Sequence, residues 1–227
     1  MSKAPVITID GPGGSGKGTL SRLLAKKLGW YYLDSGAIYR LLGLEVKQSN
    51  LSLDDIPTLV EAAANLDIEF RDNDVGDPVT LLRGADVSKQ LRTEQSGEMA
   101  SKVAVIPEVR AALMQRQQDF RVAPGLVADG RDMGTVVFPD AELKLFLTAS
   151  LEERVKRRHK QLKEKGFKTS IDGLFREISD RDERDASRSA SPLRPADDAV
   201  VVDCSDIPIA EMVECAMKYV SERDLVV

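Results

Sequence analysis

The chain has 227 residues, 42% of them hydrophobic and 30% charged, with 32 Lys and Arg against 37 Asp and Glu for a net charge of −5. That length suits one sizeable domain that buries a core without disulfide staples, and the acidic balance argues against a general duplex-DNA binder. Two cysteines at no metal-ligand spacing, Cys204 and Cys215, argue against a disulfide framework, and one histidine, His159, leaves chemistry to carboxylates, guanidinium groups, lysine and backbone. A reducing cytoplasm is the expected setting. MSKAPVITIDG is too poor in apolar residues for a signal peptide, and no apolar run approaches the roughly 18 residues of a membrane span.

In chain order, Val6-Ile7-Thr8-Ile9 reads as a buried strand, followed by a glycine-rich loop and the helix SRLLAKKLG. Trp30-Tyr31-Tyr32-Leu33 is a shorter strand candidate. Residues 67–90 hold strand-like pieces separated by Asn, Asp, Gly and Pro, the pattern of a small antiparallel insert. Leu126-Val127-Ala128 and Leu143 to Leu147 read as further buried strands. Residues 154–168 then carry eight Lys and Arg against one Glu. Ala199 to Val202 is the last strand, and Ile209, Met212, Val213, Ala216 and Val220 mark one face of a closing helix. Alternation of this kind predicts a parallel sheet with helices on both faces. No repeat, low-complexity linker or evident domain boundary interrupts it.

The loop is Gly11-Pro12-Gly13-Gly14-Ser15-Gly16-Lys17-Gly18-Thr19, a GxxxxGK pattern set between a strand and a helix. Its glycines let successive backbone N–H groups turn toward a polyphosphate, the helix N-terminus adds its dipole, and Lys17 reaches the outer phosphates. Gly18 departs from the usual hydroxyl residue, which puts the magnesium-contacting role in doubt at that position. No N-K-x-D base-reading motif and no LSGGQ signature accompanies the loop, so a GTPase or a cassette ATPase is disfavoured.

Three short clusters fall where a parallel sheet gathers its loops: Asp34 to Arg40, Asp129 to Gly134 and Arg181 to Arg188. In the third, Ile171, Leu174, Phe175 and Ile178 make an apolar stripe. The row through Leu174 and Ile178 continues into Arg181, Asp185 and Arg188, so a packed face turns into a charged one. A plain Arg181–Asp185 surface pair explains that row equally well. Taken alone, Asp129 reads as a turn or N-cap residue, and Ser101 and Arg110 read as helix surface.

ITIDGPGGSGKGT, LDSGAIYR, ADGRDMGTVVFPDA and RDERDASR followed by Pro192 occur in this order. Together they resemble the bacterial cytidylate kinases over essentially the full length. The GKGT form is shared by nucleoside monophosphate kinases, while the central insert is not typical of adenylate kinases. The resemblance implies a single domain, 1–227, with the fold of the P-loop kinases: a central five-stranded parallel sheet flanked by helices, a nucleoside-monophosphate-binding insert at about 63–100, and a basic helical lid at about 154–168. It implies transfer of the γ-phosphoryl of ATP to CMP or dCMP, with Mg2+ carried by ATP and no dedicated metal site in the protein. It places cytosine contacts on Ser101, Arg110 and Asp132, monophosphate contacts on Arg40 and Arg131, sugar contacts on Ser35, Arg181 and Asp185, and Arg188 close to phosphate and base. Lys17, Arg131, Arg188 and a lid arginine, Arg158 in preference to Arg154 or Arg157, form the catalytic set. No nucleic acid or membrane partner is implied, and the state is monomeric.

The chemistry agrees with those residue types. The attacking phosphate oxygen is largely ionised at neutral pH, its second pKa being about 6, so positioned positive charge replaces a general base. His159 is then a solvated lid residue. Guanidinium forks match phosphate oxygens. Asp132 can accept from the cytosine amino group, while Arg110 and Ser101 donate to the ring acceptors. A basic segment closing over both nucleotides excludes water; Leu151, Val155 and Leu162 give it only a narrow apolar stripe. The alternatives are a kinase of UMP, AMP or another small acceptor, and a nucleotide-dependent RNA-associated protein that uses the basic run. No aromatic residue lies between Arg154 and Lys165 to stack a base. Residues 151–195 carry 13 basic and 9 acidic side chains and the rest 19 and 28, so the acidic average conceals a basic part.

Overall fold

The elements run β1 (Val6–Asp10), α1 (Lys17–Leu28), β2 (Tyr31–Asp34), α2 (Ser35–Gln48), α3 (Ile56–Ala64), β3 (Ile68–Asp72), β4 (Pro78–Leu82), β5 (Ala85–Asp86), α4 (Ser88–Leu91), α5 (Glu94–Val103) and α6 (Pro107–Gln118). There follow β6 (Leu126–Gly130), a π-helical turn at Met133–Val137, β7 (Leu143–Thr148), α7 (Leu151–Glu164), α8 (Ile171–Ser187), β8 (Val200–Asp203) and α9 (Ile209–Ser221). This computed structural model describes residues 3–72, 78–91, 93–164, 166, 169–188 and 190–225. Parts of the expected insert (73–77 and 92) and of the expected lid (165, 167 and 168) lie outside the described residues. The chain separates into two units: Met1–Asp34 with Gln117–Val227, and Ser35–Arg116.

In the first unit five strands form a parallel sheet in the order β2-β6-β1-β7-β8. The three central strands are buried almost throughout, as strands covered on both faces must be, and their apolar runs reflect it. The edges are half-exposed, Tyr31 and Val201 facing outward. Asp10 pairs in register with Gly130, and Asp34 with Asp129. The carboxyl ends of β1, β2 and β6 therefore finish level and deliver their loops to one edge.

Ile7, Ile9, Val127, Leu143, Leu145 and Leu147 of the sheet meet Leu20, Leu24 and Ala25 of α1 and Met212, Ala216 and Val220 of α9. Val213 packs at the margin of this core, whereas Ile209, expected on the same face, is 38% exposed. The α7–α8 pair has a separate small cluster of Val155, Leu162, Leu174 and Ile178, with Leu151 against it. Ile171 and Phe175 leave the expected stripe, being 57% and 40% exposed, because α7 covers only the Leu174–Ile178 row. With so few residues in the cluster, Leu174→Ala is expected to cost about 3 kcal/mol, felt first locally. Amide exchange should quicken in α7 and α8 while α1 and α9 stay protected.

In the second unit α2 packs against α3, α4 and α5. Gly43 permits the closest approach: a Cβ there would stand 2.8 Å from Met99 Cγ. The strands form an antiparallel β3-β4-β5 sheet, as the insert's Asn/Asp/Gly punctuation predicts. Arg83 and Gly84 turn β4 into β5 with φ of 51° and 75°, the pair of positive angles that a two-residue hairpin favours.

Candidate active site

The loop between β1 and α1 is fixed by its glycines. Gly11 has φ +148°, and a Cβ on it would lie 2.2 Å from Leu147 O of the neighbouring strand. Gly16 caps α1 in the left-handed region and offers no side chain to the helix N-terminus. The first-turn N–H groups of α1 are thus turned toward the loop, the arrangement that receives phosphate. Lys17 Nζ donates to Pro12 O at 3.2 Å, across the loop.

Two arginines from α7 hold the loop from behind. Arg154, fully buried within the basic run, donates to Gly13 O at 3.1 Å and Ala149 O at 3.1 Å and pairs with Asp182 of α8. Arg157 donates to Cys204 O at 2.6 Å and Ser205 O at 3.0 Å and pairs with Glu153. Its other nitrogen is 3.4 Å from Ser15 O. The run is therefore not one uniform solvated face. His159 is half-buried on the same helix, and Arg158 Nη1 donates to Gln161 at 3.4 Å.

Beside the loop lies a charged group, half-buried at Lys17, Arg131 and Arg181 and buried at Asp185. Arg131, just past β6, donates from Nε to Asp185 Oδ2 at 2.7 Å and from Nη1 to Gly130 O at 3.3 Å. A Cβ on Gly13 would stand 3.6 Å from its Nη2. Arg181 Nε is 4.0 Å from the same Asp185 oxygen. The charged row of α8 therefore continues inward, and its carboxylate binds the arginine after β6 rather than forming a surface pair. Burial works to raise the Asp185 carboxyl, but Arg131 and Arg181 outweigh it and hold it below the usual value. Burial, and next the Arg131 guanidinium, push the Lys17 ammonium down to about 7 against the pull of Asp129. At Lys17, burial and the neighbouring guanidinium groups outweigh the pull of Asp129 and Asp34, a setting that an arriving phosphate relieves. Arg188 ends α8 as its C-cap, nearly buried, and donates to Ser191 O.

Asp129 is not the turn or N-cap residue that its sequence position suggests. It belongs to β6, is buried, and accepts a hydrogen bond of 2.7 Å from the Tyr32 hydroxyl. Burial, and then Asp34 opposite it, push its carboxyl up to about 7. Asp10, at the end of β1, accepts from the backbone N–H of Met133 at 2.9 Å and of Gly134 at 2.8 Å. It thereby anchors the π-helical turn that follows Asp132. Burial pushes it up to about 6 in spite of those two bonds. Asp132 is buried at the N-cap of that turn, and its carboxylate does not cap it.

In the second unit, Ser35 opens α2, and Arg40 donates to Leu91 O at 2.8 Å and Thr93 O at 3.2 Å. Arg110 donates to Ala104 O at 3.2 Å, with its guanidinium 5.6 Å from the Tyr39 ring centroid. Ser101 and Arg110 are 4% and 6% exposed, which corrects their reading as helix surface. Sequence reasoning did not single out Asp10 or Tyr32, read Asp129 as a turn residue, and weighed Arg154 only as a lid arginine. Two signals were present: carboxylates close two of the apolar strands, and period-two alternation places Tyr32 on the face of Asp34.

The sequence pattern of the family described as "Cytidylate kinase" matches residues 7–222. A cytidylate kinase of Aeromonas hydrophila is 54% identical over 220 residues, covering 97% of this chain and 95% of its own. One from a Marinomonas species is 51% identical over 226 residues, covering 100% of both. Among solved structures, an uncharacterized protein of Eubacterium ventriosum aligns with a TM-score of 0.54 at 12% identity, over 97% of this chain and 99% of that one; such a likeness bears on the fold alone. Identity above one half, sustained across nearly the whole of each chain, leads to one conclusion: this chain belongs to the cytidylate kinase family.

Proposed function

We propose that this protein transfers the γ-phosphoryl group of ATP to CMP or dCMP, giving ADP and CDP or dCDP. The half-buried group of Lys17, Arg131 and Arg181 beside the glycine loop carries this reading. It assembles positive charge where two phosphates must be brought together, and it includes no imidazole base. The loop from Gly11 to Thr19 holds the ATP phosphates with its backbone, and Lys17 neutralises the outer ones. Arg131 and Arg40 hold the monophosphate. Ser101, Arg110 and Asp132 read cytosine, Ser35, Arg181 and Asp185 hold the sugar, and Arg188 serves phosphate and base. Arg154 and Arg157 hold backbone carbonyls of the loop and of the β8 end, and Arg158 is the lid arginine assigned to the transferring phosphoryl. The small α7–α8 cluster lets that pair close over the nucleotides and exclude water.

Mg2+ takes one or two protein carboxylates and fills its remaining positions with phosphate oxygens and water. The residues present fit such an ion: Asp129 lies beside Gly18 of α1 with Asp34 opposite it in the strand register, and would hold it with the ATP phosphates. Bound there, it neutralises charge on those oxygens. Among the described residues no helix is long and apolar enough to cross a membrane. Two cysteines left as thiols suit a reducing, cytoplasmic setting.

A coupled assay with CMP, dCMP, UMP and AMP tests the reading. CMP and dCMP are expected to give the highest kcat/KM, and a value for UMP or AMP above that for CMP would overturn it.

A further inference from the structure

Lys17 is followed by Gly18, where the phosphate-loop pattern ordinarily carries a hydroxyl. The fold does not demand a glycine at this position. A Cβ on Gly18 would meet its nearest neighbours, Asp129 Oδ2 and Tyr32 Oη, at 3.7 Å each, which is ordinary contact distance. A hydroxyl does reach this place, but it arrives from β2. Tyr32 stands opposite Val127 in the β2–β6 register, and Asp129 lies two residues further along β6 on the same face. That diagonal is within reach of an aromatic side chain, and Tyr32 Oη donates to Asp129 Oδ1 at 2.7 Å.

We propose that Tyr32 is a positioning residue: it orients Asp129, whose carboxylate takes the place of the hydroxyl missing at Gly18. It grips one carboxylate oxygen from the strand side and leaves Oδ2 turned toward the first turn of α1, where the metal-bearing phosphates of ATP arrive. The donor is suited to the task because it is neutral. Asp129 faces the like charge of Asp34 across the register and needs a fixed partner to hold its orientation. A lysine or arginine bonded there would fix it too, but would add to the Lys17 and Arg131 charge already acting on Asp129 and weaken its attraction for a dication. The proposal rests on the reading that Asp129 holds the metal.

The test is calorimetric binding of ADP to the full chain with and without Mg2+, in parallel with kinetics. Tyr32→Phe is expected to lower the Mg2+-dependent gain in ADP affinity about tenfold, as loss of a partner that orients a metal-holding group does. Its affinity for metal-free ADP and its KM for CMP should be unchanged. Gly18→Ser in the Tyr32→Phe background returns a hydroxyl beside Asp129 Oδ2 and is expected to restore the gain. A gain within about twofold of wild type in Tyr32→Phe overturns the proposal, even if its Tm falls, and so does a lowered gain that Gly18→Ser leaves unrestored. Asp129→Asn separates the two levels. If it keeps the full Mg2+-dependent gain, the reading of Asp129 itself fails; if it loses the gain while Tyr32→Phe does not, only the role of Tyr32 fails.

Discussion

Replacing Lys17 with Met is expected to reduce kcat by about 1000-fold, the scale at which one preorganised charge contact to a transition state is felt, while the far-ultraviolet circular dichroism stays that of the wild type. The ammonium sits at the loop through its bond to Pro12 O, and no other lysine is found in Gly11–Thr19. A second measurement follows from its surroundings. Burial, and next Arg131, lower Lys17 from 10.5 to about 7. Between those two values the unfolded chain holds a proton that the folded chain does not, so stability rises with pH across that window. Below about 7 the folded protein bears the full disadvantage of a half-buried cation beside other cations. Bound polyphosphate reverses the shift by offering negative charge. At pH 8 the wild type should therefore take up protons on binding ATP, seen as a calorimetric heat that varies with the ionisation enthalpy of the buffer. Lys17→Met should lack that uptake and, in the absence of nucleotide, should melt at a higher temperature at pH 7. A Lys17→Met protein less stable than the wild type would count against a charge crowded in advance of its ligand.

What the sequence discloses depends on whether a feature is local. The loop from Gly11 to Thr19 is legible because its chemistry, its strand and its helix are contiguous, and each apolar run of the sheet identifies itself without reference to the others. The Tyr32–Asp129 bond is 97 residues long in sequence and depends on the β2–β6 register, which no single stretch encodes. Asp129 accordingly looks like any aspartate before a glycine. Arg154 is hidden differently. Within a run of eight basic residues the one turned inward looks like its neighbours, because the side of a helix that is covered is decided by what packs on it. Ile171 and Phe175 err in the opposite direction: their spacing matches a packed stripe, but α7 reaches only the adjacent row. Ser101 and Arg110 lie on helices whose cover is set by the packing of a whole unit, so only resemblance to a family raises them from surface to site.

Asp132→Ala is expected to narrow the preference for CMP over UMP by about 30-fold, or about 2 kcal/mol, the worth of one hydrogen bond to a charged group. The carboxylate is buried but is not spent on capping the π-helical turn. The two N–H groups at the start of that turn are taken by Asp10 instead. Removing Asp132 should therefore leave the turn in place, and a small change in Tm would confirm it. Cytosine presents an amino donor where uracil presents a carbonyl oxygen. A buried carboxylate gains a bond from the first and is left facing a like partial charge by the second. Alanine removes both the gain and the penalty, so KM for CMP should rise and kcat for CMP fall while UMP is turned over as well as before or better. Arg131 stands next in the chain and is held separately by Asp185, so its position is expected to survive in the variant. A loss shared equally by CMP and UMP would instead mean that Asp132 supports the loop, and the choice of base would have to be sought at Ser101 and Arg110.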